Sequence, residues 1–317
     1  MNAIGIDIGG TKIDLILMTP GGTILHEMRL PTLPEQGAVA AMDRIAAGIK
    51  HLLGQTSQPV VGVGIGSPGY IDADAGVIGL AVNLGWNDVP VVSLLRERLN
   101  HNLTLWLQND VNNAALGERF LGSARGATSF VYLAVGTGLG GAAMIGDKLI
   151  TGVGNGAMEI GHLELMPSRR PCTCGLHGCA EIYVSGVGLL AGVREHAPKY
   201  PHSALLKHLE PTTHMILESA RAGDPLAAAV MTEAAEALGR VITACAAVLN
   251  PELVVLGGGL GAAAQDLLIE PALQTFQRYA LAPAVSKSRI ENSCLDRIAL
   301  GAGCLAFLNA GIRPGRT

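Results

Sequence analysis

Three thiols crowd into the string Cys172-Thr173-Cys174-Gly175-Leu176-His177-Gly178-Cys179-Ala180-Glu181, and His162 precedes them closely. Thiolate sulfur and imidazole nitrogen are the donors of tetrahedral zinc, and this set can supply all four. His177, inside the loop, rivals His162 as the nitrogen donor. A thioredoxin-like redox motif requires Cys-x-x-Cys, and the string contains none. Four protein ligands leave no open coordination position, so a zinc ion there would be structural rather than catalytic. The remaining cysteines, Cys245, Cys294 and Cys304, stand in apolar surroundings and read as small core residues.

Glycine carries the second chemical signal. Its 42 copies beside only 3% aromatic residues require many places where backbone comes close to something. Bare backbone N–H groups converge on phosphate most easily at such places. The sequence has no G-x-x-x-x-G-K-[ST] string, which excludes a P-loop. Two stretches match the dinucleotide pattern G-x-G-x-x-G, one at Gly64-Ile65-Gly66-Ser67-Pro68-Gly69 and one at Gly136-Thr137-Gly138-Leu139-Gly140-Gly141. That pattern signifies a dehydrogenase only where a helix follows at once. A turn sequence follows Gly69, and only a short apolar run separates Gly141 from the Gly146-Asp147 turn. Plain hairpin turns would explain any one loop, but less readily two similar hairpins together with Gly257-Gly258-Gly259. Asp110, in Gln108-Asn109-Asp110-Val111-Asn112-Asn113, has two readings, a helix N-cap or a carboxylate aimed at a hydroxyl. Local sequence favours the cap.

The elements that position these residues follow from periodicity. Residues 3–7 and 12–18 read as strands around Ile8-Gly9-Gly10-Thr11, and Met42, Ile45, Ala46, Ile49, Leu52 and Leu53 recur at helical spacing. Strands are expected at 60–65 and 103–107, the latter leading into a helix at about 111–120. A second strand–glycine–strand unit at 130–145 repeats the arrangement of the first, which predicts an internal duplication. A long helix at 225–249, a strand at 253–256, a helix after the glycines at 257–261 and a final helix at 300–308 complete the pass. The last is expected to pack back on the first lobe. The lobes are expected at 1–121 plus about 300–317, and at 122–299.

Bulk properties narrow the partners. With 317 residues the chain suits two lobes, and its net charge of −4 provides no basic field for nucleic acid or anionic lipid. The mean hydropathy of +0.37 is high, but the richest apolar runs are short and laden with glycine, so no membrane association is expected. No signal peptide is evident at the N-terminus, and a cytoplasmic location is expected.

The glycine and acid motifs resemble those of the ROK family (repressors, open reading frames, kinases). Asp7-Ile8-Gly9-Gly10-Thr11-Lys12 resembles that family's first phosphate loop, and Gly136, Thr137, Gly138, Gly140 and Gly141 match its second. Val255-Leu256-Gly257-Gly258-Gly259 is similar to the adenosine-contacting strand and turn. The resemblance runs in order from residue 7 to residue 259. It implies an α/β, two-lobed actin-like ATPase (ribonuclease H-like) fold with an interlobe cleft, and phosphorylation of a hexose by ATP with Mg2+. Asp110 matches the family's catalytic base, and Asp7 the acid near the phosphates and Mg2+. Gly66, Asn83, Asn109, Asp110, Glu159, His162 and Glu181 match positions that approach the sugar. His162, Cys172, Cys174 and Cys179 match the ligands of a structural Zn2+.

Asn83-Leu84-Gly85-Trp86 and Gly154-Asn155-Gly156 look most like the glucokinase members, with N-acetylglucosamine, N-acetylmannosamine, mannose and fructose as alternative substrates. One departure bears on the pocket: Met158 stands where the family usually has glycine. The family also includes sugar-responsive repressors, but a first strand at about residue 3 leaves no room for an N-terminal DNA-binding domain. Assembly as a homodimer or homotetramer is implied.

Overall fold

A computed structural model describes residues 1–99, 103–167, 169–208 and 210–315; residues 100–102 and 316–317, expected in the smaller lobe, and residues 168 and 209, expected in the larger lobe, lie outside that set. The chain divides into two compact units. The first comprises Met1–Ala127, Ala142–Ala157 and Ser293–Thr317, and the second comprises Thr128–Gly141 and Met158–Asn292.

The first unit is built on a sheet in the order β3-β2-β1-β4-β8. β1 (Asn2–Ile8) and β2 (Lys12–Met18) form an antiparallel hairpin closed by Gly9-Gly10-Thr11, and β3 (Ile24–Pro31) pairs antiparallel with β2. β4 (Val60–Ser67) then pairs parallel with β1, and β8 (Leu105–Asn109) parallel with β4. Parallel pairing needs a crossover, and the helices α1 (Gly37–Leu53) and α2 (Val91–Arg98) provide them. β5 (Tyr70–Asp72), β6 (Val77–Ala81) and β7 (Trp86–Val89) make a small antiparallel sheet of their own. Tyr70–Asp72, read above as turn, is a strand because it pairs with β6.

Alternation along the strands sorts the two faces. Ile4, Ile6 and Ile8 join the core under α1, whose Met42, Ile45, Ala46, Ile49 and Leu52 are buried on one stripe. The opposite face meets α11 (Ile298–Asn309), which packs on β1, β4 and α3 (Asp110–Phe120). The helix can lie so close because the strands present glycine beneath it: a Cβ on Gly5 would collide with the carbonyl of Ala299, and one on Gly64 with that of Ala302. The return of the final helix to the first unit is therefore the observed packing.

The second sheet has the order β11-β10-β9-β12-β13, in which β9 (Phe130–Val135), β12 (Leu253–Gly257) and β13 (Arg289–Asn292) are parallel. β10 (Leu139–Ile145) and β11 (Lys148–Leu149) are antiparallel to each other. The order matches that of the first sheet strand for strand, as the repeated strand–glycine–strand pattern implies. β11 and residues 142–145 of β10 belong to the first unit, and helices α4 (Glu181–Val184), α5 (Gly186–His196), α6 (Thr213–Arg221), α7 (Pro225–Leu249), α8 (Gly259–Ala263), α9 (Glu270–Tyr279) and α10 (Ala282–Lys287) belong to the second.

The bounds of α7 follow from local chemistry. Asp224 accepts from the N–H groups of Leu226 and Ala227, Pro225 takes the first helical position, and Asn250 ends the helix at φ 43°. Two further sequence expectations need correction. β8 lies two residues later than the strand read at 103–107, because its parallel register with β4 continues through Ser67 opposite Asn109. Cys294 is exposed, unlike the buried Cys245 and Cys304, since it falls in the irregular stretch between β13 and α11. Among the described residues no helix is long and apolar enough to cross a membrane.

Candidate functional site

In the first unit the predicted residues gather at the carboxyl ends of three parallel strands. Asp7 of β1 lies opposite Gly66 of β4 in the register, and Gly66 lies opposite Gln108 of β8, one residue before Asn109. In open α/β sheets this edge is where ligands bind. Space at Gly66 is tight, because a Cβ there would come within 3.0 Å of Asn113 Nδ2 and would touch Asp110 Cα at 3.7 Å.

The capping question at Asp110 is resolved by its neighbour. Asn109 takes the N-cap position of α3 at φ −60°, ψ 143°, and its side chain accepts from the N–H groups of Val111 and Asn112 at 2.9 and 3.2 Å. Asp110 is thus the first helical residue, and its Oδ1 accepts from Val111 N–H at 2.9 Å.

Asp7 is held differently. Burial pushes its carboxyl up to about 7 from an ordinary 3.8, the nearby charges of Asp110 and Asp14 add to the rise, and Lys12 opposes it. By surface accessibility the side chain is only half-buried, so solvent still reaches one side. Two carboxylates that raise each other's charge cost are a suitable donor set for a hard divalent cation, which would reverse that penalty. The first glycine loop sits beside them. Gly9 N–H donates to the Lys12 carbonyl at 2.9 Å, Thr32 Oγ1 donates to the Gly9 carbonyl at 2.6 Å, and Gly10 faces the Asn83 backbone. Thr11 and Lys12 are exposed at the tip. Asn83, in a short turn, is exposed, and Asn109 Nδ2 also donates to the Gly69 carbonyl at 3.2 Å.

The second unit carries the remaining candidates. One ligand atom each from His162, Cys172, Cys174 and Cys179 lies within 4.8 Å of the others. Cys174 Sγ and Cys179 Sγ are 3.6 Å apart, close to the ~3.8 Å edge of a tetrahedron with ~2.3 Å zinc–sulfur bonds. His162 Nδ1 is buried without a hydrogen-bond partner, as a nitrogen meant for a metal would be. On the other side of the ring, Nε2 is 4.0 Å from Glu159 Oε2. His177 is not part of the cluster. Burial pushes the Cys179 thiol up to about 12, reinforced by the two neighbouring thiols, a charge conflict that a dication removes. The donor set fits a closed zinc site.

The sequence reading missed the residue that anchors this loop. Arg170 is buried, and its Nε and Nη2 donate to Glu195 and Glu233, each at 2.6 Å, while Nη1 donates to the Ile182 carbonyl at 2.9 Å. Its backbone N–H donates to Tyr183 Oη at 2.7 Å. Thr32 was missed as well. A single arginine or threonine forms no pattern along the chain; only its partners reveal it.

The second glycine loop is tied to the same segment. Gly136 N–H donates to the Gly138 carbonyl at 3.0 Å, and Gly186 N–H to the Gly136 carbonyl at 2.9 Å. Leu139 N–H donates to Glu181 Oε2 at 2.9 Å, which places Glu181 on this loop. Gly141 lies against Met158, which adopts φ 66°, a left-handed conformation that glycine enters at no cost. Thr137 and Gly140 complete the turn. Further on, β12 ends at Gly257, Gly258 turns at φ 88° and Gly259 opens α8.

A sequence profile of the ROK family matches residues 3–306. The glucokinase of Halalkalibacterium halodurans is 36% identical over 286 residues, 88% of this chain and 86% of that protein. The ROK hexokinase of Thermus thermophilus superposes with a TM-score of 0.85 at 30% identity, over 98% of this chain and 99% of that one. A ROK family glucokinase from Streptomyces griseus, solved with glucose and AMPPNP, superposes with a TM-score of 0.81 at 31% identity, over 97% of this chain and all of the other.

Proposed function

The chain belongs to the ROK family, and from that premise we propose that it is a sugar kinase, a glucokinase that transfers phosphate from ATP to glucose. The observation that carries this reading is Asp110, the first residue of α3 after the Asn109 cap, whose charge acts on Asp7 at the carboxyl ends of β1, β4 and β8. A sugar hydroxyl is a poor nucleophile, and a carboxylate that accepts its proton as the phosphoryl group moves is the base this chemistry needs. Asp110 takes that proton. Asp7 provides oxygen for Mg2+, which when bound neutralises charge on the phosphates.

The loops at Gly9–Lys12 and Gly136–Gly141 offer backbone N–H groups to the phosphates. Gly257, Gly258 and Gly259 turn the backbone where the family places the adenosine. Gly66, Asn83, Asn109, Glu159, His162 and Glu181 recognise the hexose. A polyol needs many fixed polar partners, and these residues are placed by tight turns and strand ends. His162, Cys172, Cys174 and Cys179 hold a structural zinc, which orients His162 and the adjoining Glu159. Cysteines kept as thiols or metal ligands suit a cytoplasmic protein, and assembly as a dimer or tetramer is measurable by light scattering.

The test is coupled ADP release across a panel of glucose, mannose, fructose, N-acetylglucosamine and N-acetylmannosamine. Glucose is expected to give the highest kcat/KM. No ADP release with any of the sugars would overturn the kinase reading, whereas a preference for an N-acetylhexosamine would move only the substrate. Met158, bulky beside Glu159, is the first residue to examine in that case.

A further inference from the structure

Glu181 stands two residues after Cys179, and its carboxylate lies on the second glycine loop rather than in open solvent. Oε2 accepts from Leu139 N–H at 2.9 Å and would lie only 2.6 Å from a Cβ on Gly138. A side chain at position 138 would displace this carboxylate from the loop. A carboxylate and a phosphate oxygen want the same thing from such a loop, a bare N–H group. Among the described residues no lysine, arginine or histidine forms an ion pair with Glu181, so no side-chain cation neutralises its charge beside the loop.

On the kinase reading above, we infer that Glu181 competes with nucleotide phosphate for the second glycine loop. A bound sugar that engages the carboxylate with its hydroxyls therefore strengthens nucleotide binding. Phosphates arriving at Gly136–Gly141 meet one N–H already taken and one negative charge close by. Sugar hydroxyls that donate to Glu181 spread that charge and weaken its hold on Leu139 N–H. Linkage makes the effect reciprocal: nucleotide strengthens sugar binding by the same factor. The device favours sugar before nucleotide, which limits ATP hydrolysis when no sugar is present.

The test is calorimetric titration of Mg2+–AMPPNP into the metal-loaded protein, with and without saturating glucose, for the wild type, Glu181→Gln and Glu181→Ala. Expected for the wild type is a clear gain in AMPPNP affinity when glucose is present. Without glucose, both variants should bind AMPPNP about tenfold more tightly than the wild type, the order expected from removing one unit charge a few ångströms from phosphate. Their gain from glucose should shrink accordingly.

If Glu181 instead braces the loop, Glu181→Ala binds more weakly while Glu181→Gln, which still accepts from Leu139 N–H, matches the wild type. That result overturns the inference and leaves the kinase reading intact. Equal wild-type affinity with and without glucose also overturns it. If the wild type fails to bind AMPPNP even with glucose, the kinase reading falls and this inference with it. Should Glu181→Ala not fold, Glu181→Gln alone decides, since competition predicts tighter binding and bracing predicts none.

Discussion

The two five-stranded sheets share one order and place a glycine hairpin after their first strand, yet they are furnished differently. In the first, Asp7 stands opposite Gly66 at the strand ends, and Asp110 opens the helix after β8. In the second, Ala134 occupies the place opposite Gly257, and the stretch after β13 begins Ser293-Cys294. Carboxylates at the strand ends belong to the first sheet. Thiols, an imidazole and the loop-bound Glu181 belong to the second unit. On the proposed reading, one scaffold would serve proton transfer and cation binding in the first case, and anion binding with a structural metal in the second. Strand order fixes where a site can be; side chains at a few strand ends fix what it does.

The sharpest way to break this contrast is at Asp110. Asp110→Asn keeps the helix start, because Asn109 retains the cap, and should lower kcat by about 10²–10⁴-fold with unchanged circular dichroism. Near-normal turnover would show that proton transfer does not reside in the first sheet. Next is the thiol cluster. Cys179→Ser should reduce bound zinc, measured by plasma mass spectrometry, from about one ion per chain to a small fraction, and raise the KM for sugar about 10–100-fold. Full zinc content in the variant would remove the metal from the comparison.

A packing test distinguishes close approach from loop freedom. Gly64→Ala forces α11 off β4 and should lower stability by about 1–3 kcal/mol in urea titration, whereas a Cβ on Gly136 meets nothing within 4 Å and Gly136→Ala should leave the midpoint nearly unchanged. The smallest effect concerns Asp7. An acid whose folded pKa is raised from 3.8 to about 7 contributes most at low pH, and that contribution is lost as pH rises through the folded value. Asp7→Asn should therefore gain stability over the wild type between about pH 4 and pH 7, by about 1–2 kcal/mol once partial exposure is allowed for. The gain should shrink when Mg2+ and nucleotide are added. A pH-independent difference in thermal midpoint would show that Asp7 is not held above its ordinary range.

Legibility varied with the kind of signal. α1 and α7 were readable because apolar spacing, a capping Asp224 and Pro225 are all local. β13 was not: Arg289–Asn292 has no apolar alternation and is a strand only because it pairs with β12. The small sheet of β5, β6 and β7 was missed for the same reason. At the candidate site, the cysteine string announced itself by composition, while Arg170 and Thr32, which hold the loops in place, did not. Asn109 and Asp110 are adjacent in sequence, and both can cap a helix; which one does so depends on where β8 ends against β4.

By itself, then, the sequence determined the inventory: two glycine hairpins, a thiol string, candidate acids and the long helices, all encoded by neighbours along the chain. Only the tertiary structure decided the assignments. It put Asp7, Gly66 and Asp110 on one strand-end edge, brought His162 rather than His177 to the thiols, and laid Glu181 on Leu139 N–H. Each of these depends on strand register or loop closure between residues far apart in sequence, and such contacts leave no periodic trace in the chain.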